Sequence, residues 1–332
     1  MKDTGMAKSI LVAGGAGYIG SHVCKALASG GYNPVVLDNF STGYREFVQW
    51  GNLVEGSVDD RDIVAATLKK YDICAVIDLS GSIEVSESIT DPLKYYENNF
   101  ARKIPFLKIL KDHGIKAFVF SSTAAAYGEP DSVPIQETQK TQPKNPYGWS
   151  KLFFEQMLKD FHAAGGPAWA ALRYFNACGA SPDKEIGEAH DPETHLIPIA
   201  CMASLGSGKP LKVFGTDYPT PDGTAIRDYV HVMDLAEAHV LAVNKLLEKP
   251  EPFVCNLGNG KGISIRDIIA SFERLGFKLP YELHSRREGD PARLIADNSR
   301  AKEILGWTPQ YSDIDTIILS AYNWHKMRHN QQ

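Results

Sequence analysis

The feature that most constrains the fold of this chain is an apolar run that ends in closely spaced glycines. Residues 9–13 read SILVA and predict a buried strand, and the next residues read GGAGYIGSH, with Gly14, Gly17 and Gly20 at intervals of three. Glycine permits a tight turn and lets the backbone approach a pyrophosphate, and a helix that follows directs its first N–H groups at the phosphates. A purely structural turn is the alternative interpretation of the glycines alone.

The first half of the chain repeats this alternation of apolar runs and helix-length amphipathic stretches. Further strands are predicted over 33–37, 73–77, 117–120 and 168–173, and helices over 22–29, 61–70 and 95–112. Strands that alternate with helices predict βαβ units and a parallel sheet. We therefore predict an α/β fold, a Rossmann-type doubly wound parallel sheet with a smaller mixed α/β C-terminal substrate lobe.

The regular alternation ends near residue 176, where glycine and proline become more frequent. This change predicts a dinucleotide-binding Rossmann domain over 8–176, with returning segments near 225–258, and a lobe over 177–330 that mainly binds the substrate. The stretch 234–248 is one of the segments that we expect to return to the first domain.

Composition and charge exclude several classes of protein. The chain has 332 residues, 43% of them hydrophobic, and a net charge of -5 without a basic stripe, so we expect no nucleic-acid partner. The apolar runs are only as long as a strand, so we expect no membrane partner, and residues 1–8 lack the apolar region of a secretory signal. The five cysteines form no CxxC pair, so we expect reduced thiols, a cytoplasmic protein and no metal site.

An acidic residue stands at the end of the second predicted strand. Asp38 lies 18 residues beyond Gly20, and its carboxylate is placed to accept hydrogen bonds from the hydroxyls of an adenosine ribose. The same charge would repel a 2′-phosphate, so the pattern favours NAD over NADP. The alternative is that Asp38 merely caps a loop.

A tyrosine and a lysine in the spacing YxxxK indicate a catalytic pair. Tyr147 and Lys151 would lie on one face of a helix, where the ammonium favours the phenolate and lowers the phenol pKa from about 10. Tyr147 can then accept a proton from a sugar hydroxyl. Thr123 ends the strand FVFSST at the sheet edge where ligands bind, and it can hydrogen-bond to the same hydroxyl. An ordinary surface helix pair and a turn-forming Ser/Thr cluster are the alternatives.

These features follow the order typical of the extended short-chain dehydrogenase/reductase family, and longer segments make the resemblance specific. Over roughly residues 8–325 the chain resembles the UDP-glucose 4-epimerases of that family. The segments that carry the resemblance are GGAGYIGSH, LDN, DPLKYYENN, FVFSSTAAAYGEP, NPYGWSK, LRYFNACGA, VFGTDYPTPDGTAIRDYVHVMDLA, NLGNGKG and RREGDPA.

The resemblance implies a UDP-sugar substrate and the interconversion of UDP-glucose and UDP-galactose. Tightly bound NAD would oxidise C4, the 4-keto intermediate would rotate, and re-reduction would follow. The alternatives are an epimerase of UDP-GlcNAc/UDP-GalNAc or another UDP-sugar, a sugar-nucleotide dehydratase, and a non-catalytic NAD-binding regulator. Dehydratases carry an acid pair after the catalytic threonine, where this chain has Ala124, Ala125 and Ala126. The family also implies a homodimer through helices over 95–112 and 147–162.

The resemblance further assigns the residues of the site. The catalytic residues would be Tyr147, Lys151 and Thr123. The residues that would bind the cofactor are Gly14, Gly17, Tyr18, Ile19, Gly20, Asp38, Asn39, Ser57, Val58, Leu79, Ser80, Asn98, Ser121, Tyr147, Lys151 and Tyr174. The residues that would bind the substrate are Thr123, Asn176, His195, Leu196, Lys212, Phe214, Arg227, Tyr229, Ile265, Arg287, Asp290 and Leu294.

The chain departs from the familiar pattern at five positions. Ser57 stands where an aspartate often contacts adenine, and Ile83 removes a lysine expected near the cofactor phosphates. His195 replaces an asparagine that contacts the substrate, and Leu294 occupies the position that limits the space around the sugar 2-position. Asp78 is unusual as well, and the sequence offers no reason for it.

Overall fold

The computed structural model describes residues 7–287 and 290–330. Its strands are β1 (Ser9–Ala13), β2 (Asn33–Asp38), β3 (Asn52–Glu55), β4 (Ile73–Asp78), β5 (Ala117–Thr123), β6 (Ala168–Tyr174), β7 (Asn176–Cys178), β8 (Leu211–Phe214), β9 (Ile226–His231), β10 (Phe253–Leu257), β11 (Gly262–Ser264), β12 (Tyr281–His284) and β13 (Arg293–Leu294). Its α-helices are α1 (Tyr18–Ser29), α2 (Arg61–Tyr71), α3 (Val85–Thr90), α4 (Pro92–Tyr96), α5 (Lys103–Asp112), α6 (Pro146–Ala163), α7 (Leu196–Leu205), α8 (Val232–Glu248), α9 (Ile265–Arg274), α10 (Ser299–Leu305) and α11 (Ile314–His329).

Two of the sequence observations fall partly outside the described residues. Residues 1–6, part of the segment in which we expect no secretory signal, are one case, and Glu288 and Gly289 of the RREGDPA segment are the other. Among the described residues, no helix combines the length and the apolar character needed to cross a membrane.

Seven strands form one sheet in the order β10-β6-β5-β4-β1-β2-β3. Strand β1 pairs in parallel with β2 and with β4, and the pairs β2/β3 and β4/β5 are parallel as well. The chain order reverses beside β1, and ligands of open parallel sheets bind beyond the carboxyl ends of the strands at such a reversal. The predicted doubly wound parallel sheet is confirmed. By this rule the ligand site is expected among the residues that follow β1, β2, β4 and β5.

Local sequence explains where the elements of the sheet begin and how they are covered. Every residue of β1 is buried, as expected of a strand that helices cover on both faces. Asn145 caps α6 by accepting the N–H of Gly148 at 2.8 Å, and Pro146 occupies the first turn. Helix α6 therefore begins at a defined residue, which fixes the position of the YxxxK pair within it.

The chain divides into two compact units. Unit 1 comprises the described residues up to Glu129 together with Lys140–Arg173 and Ala236–Cys255. Unit 2 comprises Pro130–Gln139, Tyr174–Leu235 and the described residues from Asn256 onward.

The segment Pro130–Gln139 belongs to unit 2, although the predicted range 8–176 includes it. The physical reason is edge pairing. Ile135 forms an isolated bridge with Ala296, donates its N–H to the carbonyl of Ile295 at 2.8 Å, and accepts a hydrogen bond from the Asn256 side chain at 2.8 Å. Pairing of this kind between distant segments leaves no periodic signal in the sequence.

Unit 2 contains a small mixed sheet. Strand β9 pairs in parallel with β7 and β13 and antiparallel with β11, and β8 pairs in parallel with β12. Residues of α7, α9 and α11 form a common hydrophobic core with residues of these strands. The predicted smaller mixed lobe is therefore confirmed.

Candidate active site

The turn between β1 and α1 is held by the carboxylate of Asp38. Asp38 Oδ2 accepts the N–H of Ala16 at 2.9 Å, and its Oδ1 accepts the N–H of Phe40 at 2.8 Å. Burial raises the pKa of Asp38, while these backbone N–H groups lower it. The carboxylate that the sequence assigns to a ribose therefore also fixes the loop beside it.

Two glycines of this turn leave no room for a side chain. Gly14 has a φ of 77°, and a Cβ there would lie 2.9 Å from the backbone nitrogen of Ser80. A Cβ at Gly20 would lie 2.1 Å from the Gly14 carbonyl oxygen. Gly17 is the N-cap of α1 and has no side chain that could accept the first N–H groups of the helix. The turn therefore has the shape and the partial positive charge that suit a diphosphate.

Thr123, Tyr147 and Lys151 lie together at the carboxyl end of the sheet. Thr123 is the last residue of β5, and its hydroxyl shares a hydrogen bond with the phenol of Tyr147 on α6. Lys151 lies one helical turn after Tyr147, donates a hydrogen bond to the Ser121 carbonyl at 2.9 Å, and lies 5.0 Å from the ring centroid of Phe120. The structure thus brings together the three residues that the sequence predicts to be catalytic.

The ionisation of the pair differs from what the YxxxK spacing predicts. Burial raises the pKa of Tyr147, and the hydrogen bond from Thr123 lowers it. Burial lowers the pKa of Lys151 to about 7, the charge of Lys103 lowers it further, and the carboxylate of Asp78 opposes both. The hydrogen bond of Thr123, and not the charge of Lys151, is therefore the interaction that lowers the pKa of Tyr147 here.

A fully buried ion pair lies close enough to Lys151 to affect its pKa. Lys103 Nζ on α5 lies 2.6 Å from Asp78 Oδ2 at the end of β4, and both side chains are 0% exposed. Lys103 also donates to the Ser80 carbonyl at 2.8 Å, and Asp78 Oδ1 accepts the N–H and the hydroxyl of Ser80 at 3.1 and 2.6 Å. This pairing gives the unusual Asp78 a physical reason.

Lys103 and Lys151 approach the same aromatic ring. Lys103 Nζ lies 5.5 Å and Lys151 Nζ lies 5.0 Å from the centroid of Phe120. We refer to Asp78, Lys103 and Lys151 as the lysine cluster. Sequence reasoning missed Lys103, although a lysine at the start of the apolar stretch KIPFLKIL is the one signal that was available.

A second buried ion pair fixes α6 one turn beyond Lys151. Glu155 accepts hydrogen bonds from Arg173 Nε at 3.0 Å and Nη2 at 2.6 Å, and the hydroxyl of Ser122 donates to the same carboxylate. Arg173 Nη1 also donates to the hydroxyl of Tyr127 at 2.9 Å. Bonds to β5 and β6 at this level hold the helix that carries Tyr147 and Lys151.

Two neighbouring asparagines hold the loop that follows β4. Asn98 donates to the hydroxyl of Ser82 at 3.0 Å. Asn99 is fully buried, accepts the Ser82 N–H at 2.7 Å, and donates to the Ser82 carbonyl at 3.0 Å and to the hydroxyl of Ser150 at 3.1 Å. Sequence reasoning selected Asn98 but missed Asn99, which joins this loop to α6.

Most of the other predicted cofactor residues follow the carboxyl ends of strands. Asn39 follows β2, Ser57 and Val58 follow β3, Leu79 and Ser80 follow β4, and Tyr18 and Ile19 begin α1. Tyr174 is the last residue of β6 and belongs to unit 2.

Several of the predicted substrate residues of unit 2 gather around β9. Arg227 on β9 forms an ion pair with Asp290, and Leu294 lies opposite Arg227 in the pairing of β13 with β9. Asn176 lies opposite Tyr229 in the pairing of β7 with β9 and donates to a β9 carbonyl at 2.9 Å. Five predicted residues therefore share one small sheet or its edge.

The remaining substrate residues of unit 2 lie on neighbouring elements. The guanidinium carbon of Arg287 lies 4.0 Å from the ring centroid of Phe214, which ends β8, and Lys212 lies in the same strand. Ile265 begins α9 directly after β11. His195 is the N-cap of α7 and Leu196 is its first residue.

Comparison with known proteins finds the family that the sequence resembles, and the likeness extends over nearly the whole chain. A model of the NAD dependent epimerase/dehydratase family matches residues 10–258. A protein of Rhizobium leguminosarum bv. trifolii named UDP-glucose 4-epimerase is 49% identical over 319 residues, which cover 96% of this chain and 97% of that protein.

Solved structures agree with the fold. The crystal structure of UDP-glucose 4-epimerase from Brucella ovis in complex with NAD has a TM-score of 0.93 at 50% identity and covers 96% of this chain and 98% of its own. UDP-glucose 4-epimerase from Bifidobacterium longum, in complex with NAD+ and UDP, has a TM-score of 0.92 at 36% identity and covers 98% and 100%. With the family match over residues 10–258, these likenesses show that the chain belongs to the NAD dependent epimerase/dehydratase family.

Proposed function

We propose that the chain interconverts UDP-glucose and UDP-galactose with NAD as its cofactor. The observation that carries the proposal is the group Thr123, Tyr147 and Lys151 at the carboxyl end of the same parallel sheet whose strand β1 leads into the glycine turn. The relatives named UDP-glucose 4-epimerase support it, because their likeness extends over almost the entire chain.

The residues of the glycine turn fit a dinucleotide. Gly14 and Gly20 leave a cradle that a Cβ would fill, and the N-cap Gly17 leaves the first N–H groups of α1 for phosphate oxygens. Asp38 bonds two backbone N–H groups and retains lone pairs that can accept ribose hydroxyls. When bound, NAD supplies a reversible two-electron oxidation of the sugar at C4.

The chain's own residues then handle the proton. The Tyr147 phenol would accept the proton of the C4 hydroxyl, and the Thr123 hydroxyl, which already bonds to Tyr147, would orient the two oxygens. Lys151 would stabilise the phenolate, held in place by its bond to the Ser121 carbonyl. The proton returns to the sugar by the same path, so the net change is confined to the configuration at C4.

The residues of unit 2 suit a uridine diphosphate. Arg227 and Arg287 offer forked donors for phosphate oxygens, and Phe214 offers an apolar face for the base. Binding through this remote handle leaves the sugar ring free to turn while the nucleotide stays bound. Leu294 beside Arg227 would set the room at the sugar 2-position.

A dehydratase is disfavoured by the residues after Thr123. Dehydration needs an additional acid–base pair, and Ala124–Ala126 form a short 3-10 turn without any group that transfers protons. The intact catalytic group argues equally against a regulator that binds NAD without turnover.

A coupled assay tests the proposal. The purified chain is incubated with NAD and UDP-galactose, and the formation of UDP-glucose is measured. Binding of NAD without any UDP-glucose would favour the regulator, and release of a 4-keto-6-deoxy sugar nucleotide would favour the dehydratase. A kcat/KM clearly higher for UDP-GalNAc than for UDP-galactose would change the substrate assignment while leaving the reaction intact.

We also propose that the chain acts as a homodimer in the cytoplasm. Phe100, Phe153, Met157 and Phe161 line an apolar groove along α6, and Leu93 nearby is 76% exposed. A second copy would cover this face, so Phe153→Glu should shift the sedimentation of the chain from dimer toward monomer. The five cysteines all lie among the described residues and form no disulfide bond, which fits a reducing compartment.

A further inference from the structure

Four side chains that can bind a metal ion meet in the segment before α7. Glu188, His190, Glu193 and His195 each place one nitrogen or carboxylate oxygen within 4.8 Å of the corresponding atoms of the other three. We refer to these residues as the Glu–His cluster. All four lie in unit 2, in the sequence EAHDPETH.

The nitrogens and oxygens of the cluster converge on a common point. Glu188 Oε1 lies 3.1 Å from His190 Nδ1 and 3.0 Å from His195 Nδ1. Glu193 Oε1 lies 3.0 Å from the same His195 nitrogen, and Glu193 Oε2 lies 3.9 Å from His190 Nδ1. Both imidazoles thus present Nδ1 to the same pair of carboxylates, with ring centroids 5.0 Å apart.

A second, independent observation is the poor hydrogen bonding of the buried oxygens. Glu188 is 3% exposed and the Glu193 side chain 7% exposed, and within the described residues Oε2 of each carboxylate has no hydrogen-bond partner. His325 Nε2 is buried too and finds no hydrogen-bond partner in the part of the chain that the structure describes, and the charges of both carboxylates act on His325. A buried carboxylate oxygen without a partner is costly, and two such oxygens at one place suit a positively charged ligand.

We propose that Glu188, His190, Glu193 and His195 bind one divalent transition-metal cation, with zinc as the best chemical fit. Two imidazole nitrogens and two carboxylate oxygens form the mixed four-donor set that tetrahedral zinc accepts, whereas calcium and magnesium prefer oxygen alone. Four protein donors leave no open position, so the ion would be structural.

The cation would fix the start of α7. His195 is the N-cap of this helix and Leu196 is its first residue, and both are predicted to contact the sugar nucleotide. The proposal departs from the sequence expectation of no metal site, which considered only the cysteines. It is independent of the proposed reaction, because metal binding is measured without turnover.

The test uses the full chain and the metal alone. The protein is treated with EDTA, dialysed, and titrated with ZnCl2 by calorimetry, with one bound equivalent per chain expected. Glu188→Gln/His190→Asn should lose that equivalent. The matched control Glu282→Gln/His284→Asn removes the same residue types from a pair 3.4 Å apart outside the Glu–His cluster and should keep it.

Cobalt distinguishes the ligands and keeps the test valid if the variant fails to fold. Wild-type protein loaded with CoCl2 should show the visible bands of a four-coordinate nitrogen and oxygen site, and its melting temperature should rise with metal concentration. A thiolate charge-transfer band would place the ion at cysteines and overturn the proposal. Absence of zinc binding by the wild type, or equal binding by both double variants, would overturn it as well.

Discussion

Two buried groups of charged side chains differ in which charge is in excess. In the lysine cluster Lys103 forms an ion pair with Asp78, whose charge also acts on Lys151, and both oxygens of that carboxylate accept hydrogen bonds. In the Glu–His cluster two carboxylates meet two imidazoles, and one oxygen of each carboxylate has no partner within the described residues. The first group is fully bonded with surplus positive charge, and the second is incompletely bonded with surplus negative charge.

The sign of the surplus indicates what each group is suited to hold. Buried charge is costly unless an opposite charge meets it. The lysine cluster lies near Tyr147, whose phenol becomes an anion in the proposed reaction. Its positive charge is therefore balanced only while Tyr147 is a phenolate. The Glu–His cluster has no reacting group of this kind, and a bound cation would balance it permanently.

The largest effect should follow from removing the phenol that the lysine cluster serves. Tyr147→Phe removes the proposed base, so kcat should fall on the order of 10²–10⁴-fold, which is the usual contribution of general base catalysis. The coupled assay with UDP-galactose measures it. Tyr281→Phe, a matched change at an exposed tyrosine, should leave kcat unchanged. Turnover of Tyr147→Phe near the wild-type rate would show that the lysine cluster does not support the reaction through Tyr147.

The second effect tests the pairing inside the lysine cluster. Lys103→Met leaves Asp78 buried without its partner, so the free energy of unfolding should fall by about 3 kcal/mol. Asp78→Asn/Lys103→Met removes both charges and keeps an acceptor for Ser80, so it should recover most of the loss. Urea unfolding of the wild type, both single variants and the double variant gives the coupling energy. Additive losses would show that the two residues act separately.

The same contrast explains how much of the site could be predicted from the sequence. Gly14 and Asp38 each follow a readable apolar strand, and Tyr147 and Lys151 are one helical turn apart, so local periodicity places them. Lys103 and Asp78 are 25 positions apart on a helix and a strand, and only the sheet order brings them together. The sequence therefore predicted the doubly wound sheet and the proximity of Tyr147 to Lys151 on one helix, but not the ion pair of Lys103 with Asp78.

Unit 2 contains further groups of residues whose proximity the sequence pattern does not predict. Glu188, His190, Glu193 and His195 lie within one short stretch of sequence, yet that stretch precedes α7 and is not helical, so no period predicts that their ligand atoms converge. Arg227 and Asp290 come from distant segments. They were selected through the family resemblance, because neither composition nor periodicity distinguishes them from surface charges.

A smaller effect should follow from removing the hydroxyl of Thr123, which bonds to Tyr147. Thr123→Val keeps the shape of the side chain but removes the hydrogen bond to Tyr147, so kcat should fall about fivefold to tenfold, the worth of one hydrogen bond of about 1 kcal/mol. Thr123→Ser retains the hydroxyl and should stay close to the wild type. Equal rates for both variants would show that Thr123 only ends the strand.

The smallest effect should be a shift in pH dependence that reports the charge balance directly. After burial, which is the largest cause, Lys103 lowers and Asp78 raises the pKa of Lys151, which is about 7. Lys103→Met removes the repulsion and keeps the attraction, so the pKa of Lys151 should rise. The ammonium then persists to higher pH, and the alkaline fall of kcat/KM should begin at higher pH than in the wild type.

Asp78→Asn is the matched change of opposite sign, because it removes the attraction and keeps the repulsion, so the alkaline fall of kcat/KM should move to lower pH.

The free energy of unfolding should also depend on the pKa of Lys151. Between about 7, the folded pKa of Lys151, and about 10.4, its unfolded value, the unfolded chain binds more protons, so this group makes the free energy of unfolding rise with pH. In Lys103→Met the raised folded pKa of Lys151 makes this pH interval begin at a higher pH. The free energy of unfolding should therefore rise less with pH than in the wild type. Shifts of kcat/KM in the same direction for both variants would mean that the pair only supports the fold, since a structural role cannot reverse sign with the charge removed.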